Sequence, residues 1–588
     1  MDLLQTKAGG KASGGRRYYN TTGGQVHLVF ALPRVAAAAT IVAAFSRTSK
    51  PLATKPLATT PLFDLLLTNA WVIDGTGNPR TTADVALAGD RIAAVGTLAD
   101  APARHRIDCS GLVLAPGFID VHNHSDGWML VQPHQTWKTS QGFTTEVLMA
   151  DGISYAPVND QTWRAWLYYL RSLNGLNLAD YTGWKSLADY MALLDGRNVQ
   201  NAATHLPYAN VRTLACGFGR TSPPDDFQMR QIRAEIARGM ESGAVGLSTG
   251  LDYIEQHYAT TDELVAACSA IEPFGGLYVT HVRYKLGLLP ALAEAIEIGR
   301  RAEVKVHISH LKGSSEQEVQ QVLELVDRAR QDVDLSFEVY PYQRGSTMLN
   351  YLLPYEVWEE GPLGVLARLD RPEVRARFRA GLDALAVPLE EITIAWTAAR
   401  EGEAPAEPII GTTLADFVAQ RNKSPEEALI DLLIDSNLAT LLVLGPSDKD
   451  SLVEPLIQHD LAMLGSDGIY HPGGHVHPRA FGSAGRWLGP LVRERKLFSL
   501  EEGVHKLTGK PAGRFGLADR GVIRAGAFAD LVLFDPEKIA DRATYGQPRQ
   551  QCRGVEHVFV NGQQIVSPEG PVIQADSRLP GRFVRKQR

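Results

Sequence analysis

From Leu62 the chain is built of short apolar runs with polar breaks. LFDLLLTNAWVIDG, ADVALAGDRIAAVG and GLVLAPG come first, and RAGAFADLVLFDP (524–536) and VEHVFVNGQQI (555–565) lie near the other end. Each is alternating or β-branched and split by Gly, Asp or Asn, which predicts antiparallel strands; the Asn-Gly pair in the last predicts a two-residue hairpin turn. Between these segments the pattern becomes strand, loop, helix. Eight runs predict buried strands: GFIDVHNH (117–124), TTEVLMAD (144–151), NAATHLPY (201–208), GAVGLSTG (243–250), GLYVTHVR (276–283), KVHISHLK (305–312), LSFEVYPY (335–342) and LAMLGSDG (461–468). Helical periods separate several of them, as in DDFQMRQIRAEIARGMES (225–242) and PALAEAIEIGRRAE (290–303).

Eight strands with crossover helices predict an α/β fold, a (β/α)8 TIM-like barrel over 117–515. The two β-rich ends predict a small β-sandwich assembled from 62–116 and 516–575. TLLVLG (440–445) reads as a ninth strand and does not fit the barrel count. The segment 349–430 is too long for a loop and predicts an insertion over the barrel mouth.

Composition adds limits. The 588 residues carry a net charge of −7, with 44% hydrophobic and 21% charged positions. This is globular composition, and its mild acidity gives no basic face for nucleic acid. The four cysteines have no CxxC spacing, which argues against a disulfide framework or a cysteine zinc site. Residues 1–61 differ from the rest: a Gly/Ser/Lys-rich stretch, then VAAAATIVAAF (35–45), then the repetitive PLATKPLATTP (51–61). The apolar run is far short of the roughly 20 residues of a membrane span. The extension reads as flexible, with a cytoplasmic protein expected and an atypical export signal as the alternative.

The chemistry lies among the histidines. His122 and His124, Asp151, His281, His310, Tyr340 and Asp467 all fall at the C-terminal ends of predicted strands, where barrel enzymes place their active sites. Successive members are separated by roughly 30 residues in three cases, the length of one βα unit. Residues i and i+2 of a strand face the same way, so His122 and His124 point at one place. A lone buried histidine is more often a core residue than a ligand. Four histidines and two aspartates at matched strand ends predict a site for zinc or a similar divalent ion. Such an ion lowers the pKa of bound water towards about 7 and polarises a carbonyl. Asp467 can take the water's proton and return it to a leaving amine. This constellation needs no Ser or Cys nucleophile, and the expected reaction is metal-assisted hydrolysis of an amide.

PGFIDVHNHSD, QGFTTEVLMADGISYAP, GAVGLSTGLDY, GLYVTHVR, ISHLK, YPYQRGSTML, GSDGIYHPGGHVHPRAFG and GVIRAGAFADLVLFDP together resemble the amidohydrolase superfamily, and within it the N-acyl-D-amino-acid deacylases. The resemblance implies a small-molecule N-acyl-D-amino acid substrate and one or two metal ions, zinc foremost. It assigns His122 and His124 to one metal position, His281 and His310 to the other, and Asp467 as the catalytic aspartate. It implies that Lys312, Tyr340 and Arg479 hold the substrate carboxylate, that Ser346 adds a contact, and that His477 in the HPR motif touches substrate. Arg offers a planar fork for a carboxylate and Lys a point charge. Asp151 stands where the family has a metal-binding cysteine; its two oxygens can still bridge two cations. PYANVR (207–212) and Lys285 also depart from the pattern, at positions expected near the mouth. His205, His307, His471 and His475 are expected to be structural or exposed. A related amidohydrolase acting on a dipeptide or cyclic amide is the enzyme alternative. A non-catalytic relative is the other, though such chains lose ligands that are all present here. Oligomeric state is not legible.

Overall fold

A computed structural model describes residues 62–383, 385, 387–399, 409–445, 449–572 and 578–587. The N-terminal extension, with its flexible or targeting reading, lies outside the described residues. No described helix is long and apolar enough to cross a membrane.

The two β-rich ends meet in one nine-stranded sheet. Phe63–Val72 pairs antiparallel with Thr81–Ala88 and parallel with Ala103–Asp108 and Val113–Pro116. Val113–Pro116 then pairs antiparallel with Leu531–Phe534, joining segments far apart in sequence. Leu67, Val85, Leu114, Leu531, Leu533 and Phe559 form a separate apolar core for this unit. The Asn-Gly turn forms as expected: Asn561 and Gly562 both have positive φ between Val555–Val560 and Gln563–Ser567. Asn561 also ties the sheet to the barrel through an amide hydrogen bond to Asn201 of 2.8 Å.

All eight predicted barrel strands form. They are Phe118–Asp120, Phe143–Leu148, Asn201–Thr204, Gly246–Gly250, Leu277–His281, Lys305–Ile308, Leu335–Val339 and Ala462–Leu464. The first three pair in parallel, and the last five pair in parallel with one another. Leu206–Pro207, directly after the third strand, pairs with the fourth and joins the two groups. The eighth strand returns to the first through a bridge between Asn123 and Gly468. Helices pack around them with ordinary start signals; Asp225 and Gln228 form a capping box before Asp226–Glu241, and Ser315 caps Glu316–Ala329. Residues 578–587 run along the third strand, where Val584 N–H donates to Ala202 O at 2.7 Å and its side chain enters a core with Val121, Val147 and Phe515.

TLLVLG is not a ninth barrel strand. Thr440–Leu444 is the centre of a three-stranded antiparallel sheet between Gly345–Met348 and Ile392–Thr397. Its residues are almost entirely buried, so its sequence has the same continuous apolar character as a barrel strand.

Candidate active site

The first barrel strand ends at Asp120, but the chain remains stitched to the far side of the barrel. His124 N–H donates to Gly468 O at 3.1 Å, and Asp467 N–H to His122 O at 2.7 Å. This closure brings HNH against SDG. Asp151 follows the second strand in a one-turn segment with left-handed φ of 58°. His310 and Asp467 also have positive φ, 36° and 49°. Such backbone costs on the order of 1–3 kcal/mol per residue and persists only where the surroundings hold it. The carboxylate of Asp126 does so beside Asp151, accepting from Met149 N–H and Ser154 Oγ–H, each at 2.8 Å. Gly250 is required there too, because a Cβ would lie 2.3 Å from Asp151 O.

The side chains converge. Asp151 Oδ1 lies 3.5 Å from His122 Nε2 and 3.7 Å from His310 Nε2, while its Oδ2 lies 3.8 Å from His124 Nε2. Asp467 Oδ1 is 3.2 Å from His124 Nε2 and 3.8 Å from His122 Nε2. Donors bound 2.0–2.1 Å from one tetrahedral ion would stand roughly 3.3 Å apart, so these separations suit ligands around a cation. Two groups satisfy this closely: His122, His124 and Asp467, and His122, Asp151 and His310. His281 joins through Nδ1, 3.0 Å from His310 Nε2. His122 Nε2 and Asp151 Oδ1 are buried with no hydrogen-bond partner, a costly arrangement that a divalent ion would relieve.

Each histidine is also held in the tautomer that leaves one nitrogen free. His122 Nδ1–H donates to Glu338 Oε1 at 2.7 Å and His124 Nδ1–H to Asn174 Oδ1 at 3.0 Å. His281 Nε2–H faces Asp252 Oδ2 at 3.4 Å. Tyr284 Oη–H donates to Ser309 O, so its oxygen accepts from His310 Nδ1, both at 3.3 Å. Such outer partners fix ring orientation and raise ligand basicity. Burial pushes the Asp151 and Asp467 carboxyls up, but His122 beside the first and Arg479 beside the second hold both well below the usual carboxylate range. Burial lowers His310, keeping it neutral.

Asn174 and Tyr284 carry no motif or spacing that points to the site. Glu338 had a signal: it is the one charged residue of the strand LSFEV, two positions before Tyr340. Its Oε1 also accepts from His310 N–H at 2.8 Å, so one oxygen links both histidine pairs. Gly465 makes room, since a Cβ would meet Glu338 Cγ at 2.5 Å and His122 Cβ at 2.8 Å.

A cavity of about 610 Å³ opens over this cluster. Lys312, Tyr340 and Ser346 line it with His124, His281 and Asp467. The Lys312 Nζ sits 4.0 Å from the Tyr340 ring and donates to Gln343 O and Arg344 O; burial, and then Arg479, pull its pKa well below the usual lysine value, and an approaching carboxylate favours its charged form. Arg479 lies behind that wall, fully buried, with Nη1 2.9 Å from Asp467 Oδ2. His477 does not reach the cavity. Its Nδ1 accepts from Arg479 N–H and its Nε2–H donates to Arg344 O, so it holds the turn that carries Arg479. PYANVR is not at the mouth: it opens the buried helix Tyr208–Cys216, where Arg212 pairs with Glu263 at 2.8 Å. His471 and His475 bind backbone carbonyls at 2.8 and 2.6 Å, and His205 and His307 are fully buried beside Phe515.

The sequence matches the amidohydrolase family over residues 106–339 and 437–566. The stretch between those spans contains most of the antiparallel insertion. The D-aminoacylase of Alcaligenes xylosoxydans xylosoxydans is 34% identical over 520 residues, 86% of this chain and 94% of that one. The N-acyl-D-glutamate deacylase of the same organism is 34% identical over 533 residues, 89% of this chain and 96% of the other. Among solved structures, the N-acyl-D-glutamate deacylase of Bordetella bronchiseptica, complexed with zinc and a phosphonate that mimics the tetrahedral intermediate, superposes with a TM-score of 0.75 at 33% identity. That match covers 89% of this chain and all of the other. With a closed barrel, histidines and aspartates converging at its strand ends, and these relatives spanning nearly their whole lengths, the chain belongs to the amidohydrolase family and groups within it with the N-acyl-D-amino-acid deacylases.

Proposed function

We propose that this protein hydrolyses the amide of N-acyl-D-amino acids, releasing a carboxylate and a D-amino acid, with one or two divalent ions, zinc foremost. The observation that carries the reading is the pair of unpartnered buried atoms, His122 Nε2 and Asp151 Oδ1, inside a ring of further donors at the floor of the cavity. His122, His124, Asp151, His281, His310 and Asp467 would hold the metal, and an ion bound there supplies Lewis acidity to a water and to the amide carbonyl. Asp467 accepts the attacking water's proton and passes it to the leaving nitrogen. Its lowered pKa supports this by keeping the carboxylate ionised before attack. Lys312 and Tyr340 meet the substrate carboxylate, with Ser346 beside them. Arg479 fixes Asp467 and adds positive charge behind the clamp. His477 positions Arg479. The D preference follows the relatives, a D-aminoacylase and two deacylases named for N-acyl-D-amino acids.

The test is acyl release from paired N-acetyl-D- and N-acetyl-L-amino acids, using metal-stripped protein with zinc, cobalt or manganese restored. Metal-dependent cleavage of the D member alone is expected. Cleavage of the L member at an equal rate, or turnover that survives metal removal, would refute the reading.

A further inference from the structure

The cavity is divided by chemistry. On the Asp467 side stand Lys312 and Tyr340, backed by Arg479, whose guanidinium lies 4.4 Å from the Tyr340 ring. Around His281 stands an aromatic group instead. Tyr253 lies 4.9 Å from the His281 ring, Tyr284 5.0 Å from it, and Tyr351 5.6 Å from Tyr253. Leu288, Val387 and Leu444 add apolar surface to the lining, Leu444 opposite Gly345.

The charges follow the same division. Apart from the metal-binding group and Lys312, two charged side chains line the cavity among the described residues, Glu318 and Lys449. Glu318 has the sign of an acidic substrate group, and its Oε2 is taken by Ser314 N–H and Oγ–H, each at 2.7 Å. Lys449 is exposed at the edge. Lys285, the other cation near the aromatic group, does not line the cavity. Its ammonium rests 4.2 and 4.3 Å from the Tyr351 and Tyr355 rings and donates to Tyr351 O at 3.3 Å.

We infer that the substrate carries a single carboxylate, and that its amino-acid side chain is neutral and apolar or aromatic rather than acidic. This rests on the deacylase reading above and narrows it. One cationic cluster accepts one carboxylate. A second carboxylate placed against the apolar lining of Tyr253, Tyr351, Leu288 and Val387 would lose its water without gaining a counter-ion from them, whereas an apolar group gains burial there.

The experiment compares kcat/KM of the zinc-loaded full chain for N-acetyl-D-leucine and N-acetyl-D-phenylalanine with that for N-acetyl-D-aspartate and N-acetyl-D-glutamate. The apolar pair should be favoured by about 100-fold, the scale on which a pocket discriminates by burial and unpaired polarity. Val387→Arg should shift the ratio towards D-glutamate at least tenfold. Equal or faster cleavage of the acidic pair by the wild type would overturn the inference and leave the deacylase reading standing. An unmoved ratio in the variant would overturn the assignment of the wall. No cleavage of any of the four would remove the deacylase reading itself, and the inference with it.

Discussion

Glu338 offers the sharpest test of how the barrel builds its metal site. Its Oε1 accepts from His122 Nδ1–H at 2.7 Å and from His310 N–H at 2.8 Å, while Oε2 meets His307 Nε2. His122 and the neighbouring His307 hold the Glu338 carboxyl ionised against the upward pull of burial. Glu338→Gln can keep its oxygen at the Oε1 position and both hydrogen bonds, but as a neutral acceptor. It therefore loses charge assistance and keeps geometry. Glu338→Ala loses both, freeing His122 to rotate and leaving His310 N–H without an acceptor. Loss of an outer partner costs roughly 10- to 100-fold in metal affinity. We expect Gln near the lower end and Ala near the upper, about 1.4 and 2.7 kcal/mol at about 1.36 kcal/mol per decade. Zinc affinity would be read by competition with a chromophoric chelator, with circular dichroism confirming the fold. Both variants binding zinc within twofold of wild type would refute the claim that this carboxylate organises the site.

Three further outcomes follow from the geometry. Asp467→Asn should retain most bound metal and lose at least about 100-fold in kcat, the scale of a general acid–base group; near-normal turnover would remove it from proton transfer. Gly465→Ala should reduce zinc occupancy on dialysis and cost about 1–3 kcal/mol in urea unfolding, because its Cβ would press on both Glu338 and His122; unchanged occupancy would contradict this. Burial pushes the Glu146 carboxyl from 4.5 up to about 8 despite Lys138 beside it. A carboxyl raised on folding stabilises below its unfolded pKa and loses that contribution as pH rises through its folded one. Wild-type melting temperature should therefore fall between about pH 5 and 8, and Glu146→Gln should flatten that fall; parallel curves would refute it.

Much of the site was legible because its signals are local. Short buried apolar runs marked the eight strands, and polar residues at their ends marked one face of the barrel. The HNH spacing directed two imidazoles to one place. The misreadings also have local causes. TLLVLG has the unbroken apolar character of a barrel strand, and only its antiparallel partners at Gly345–Met348 and Ile392–Thr397 distinguish it. PYANVR follows the third strand like a mouth loop, yet it starts a helix whose arginine is neutralised by Glu263. His477 sits in the same motif as Arg479, but both its ring nitrogens are taken by backbone.

By itself the amino-acid sequence determined the barrel and the class of chemistry, and it put histidines and aspartates at the strand ends, since apolar runs, βα length and side-chain type are properties of short stretches. Tertiary structure alone decided who holds whom. Arg479 behind Asp467, Glu338 between His122 and His310, and the lining of one cavity by residues of several βα units all depend on closing the first strand against the eighth. Those partners come from different βα units, and no local pattern encodes a contact that exists only once the sheet has curved back on itself.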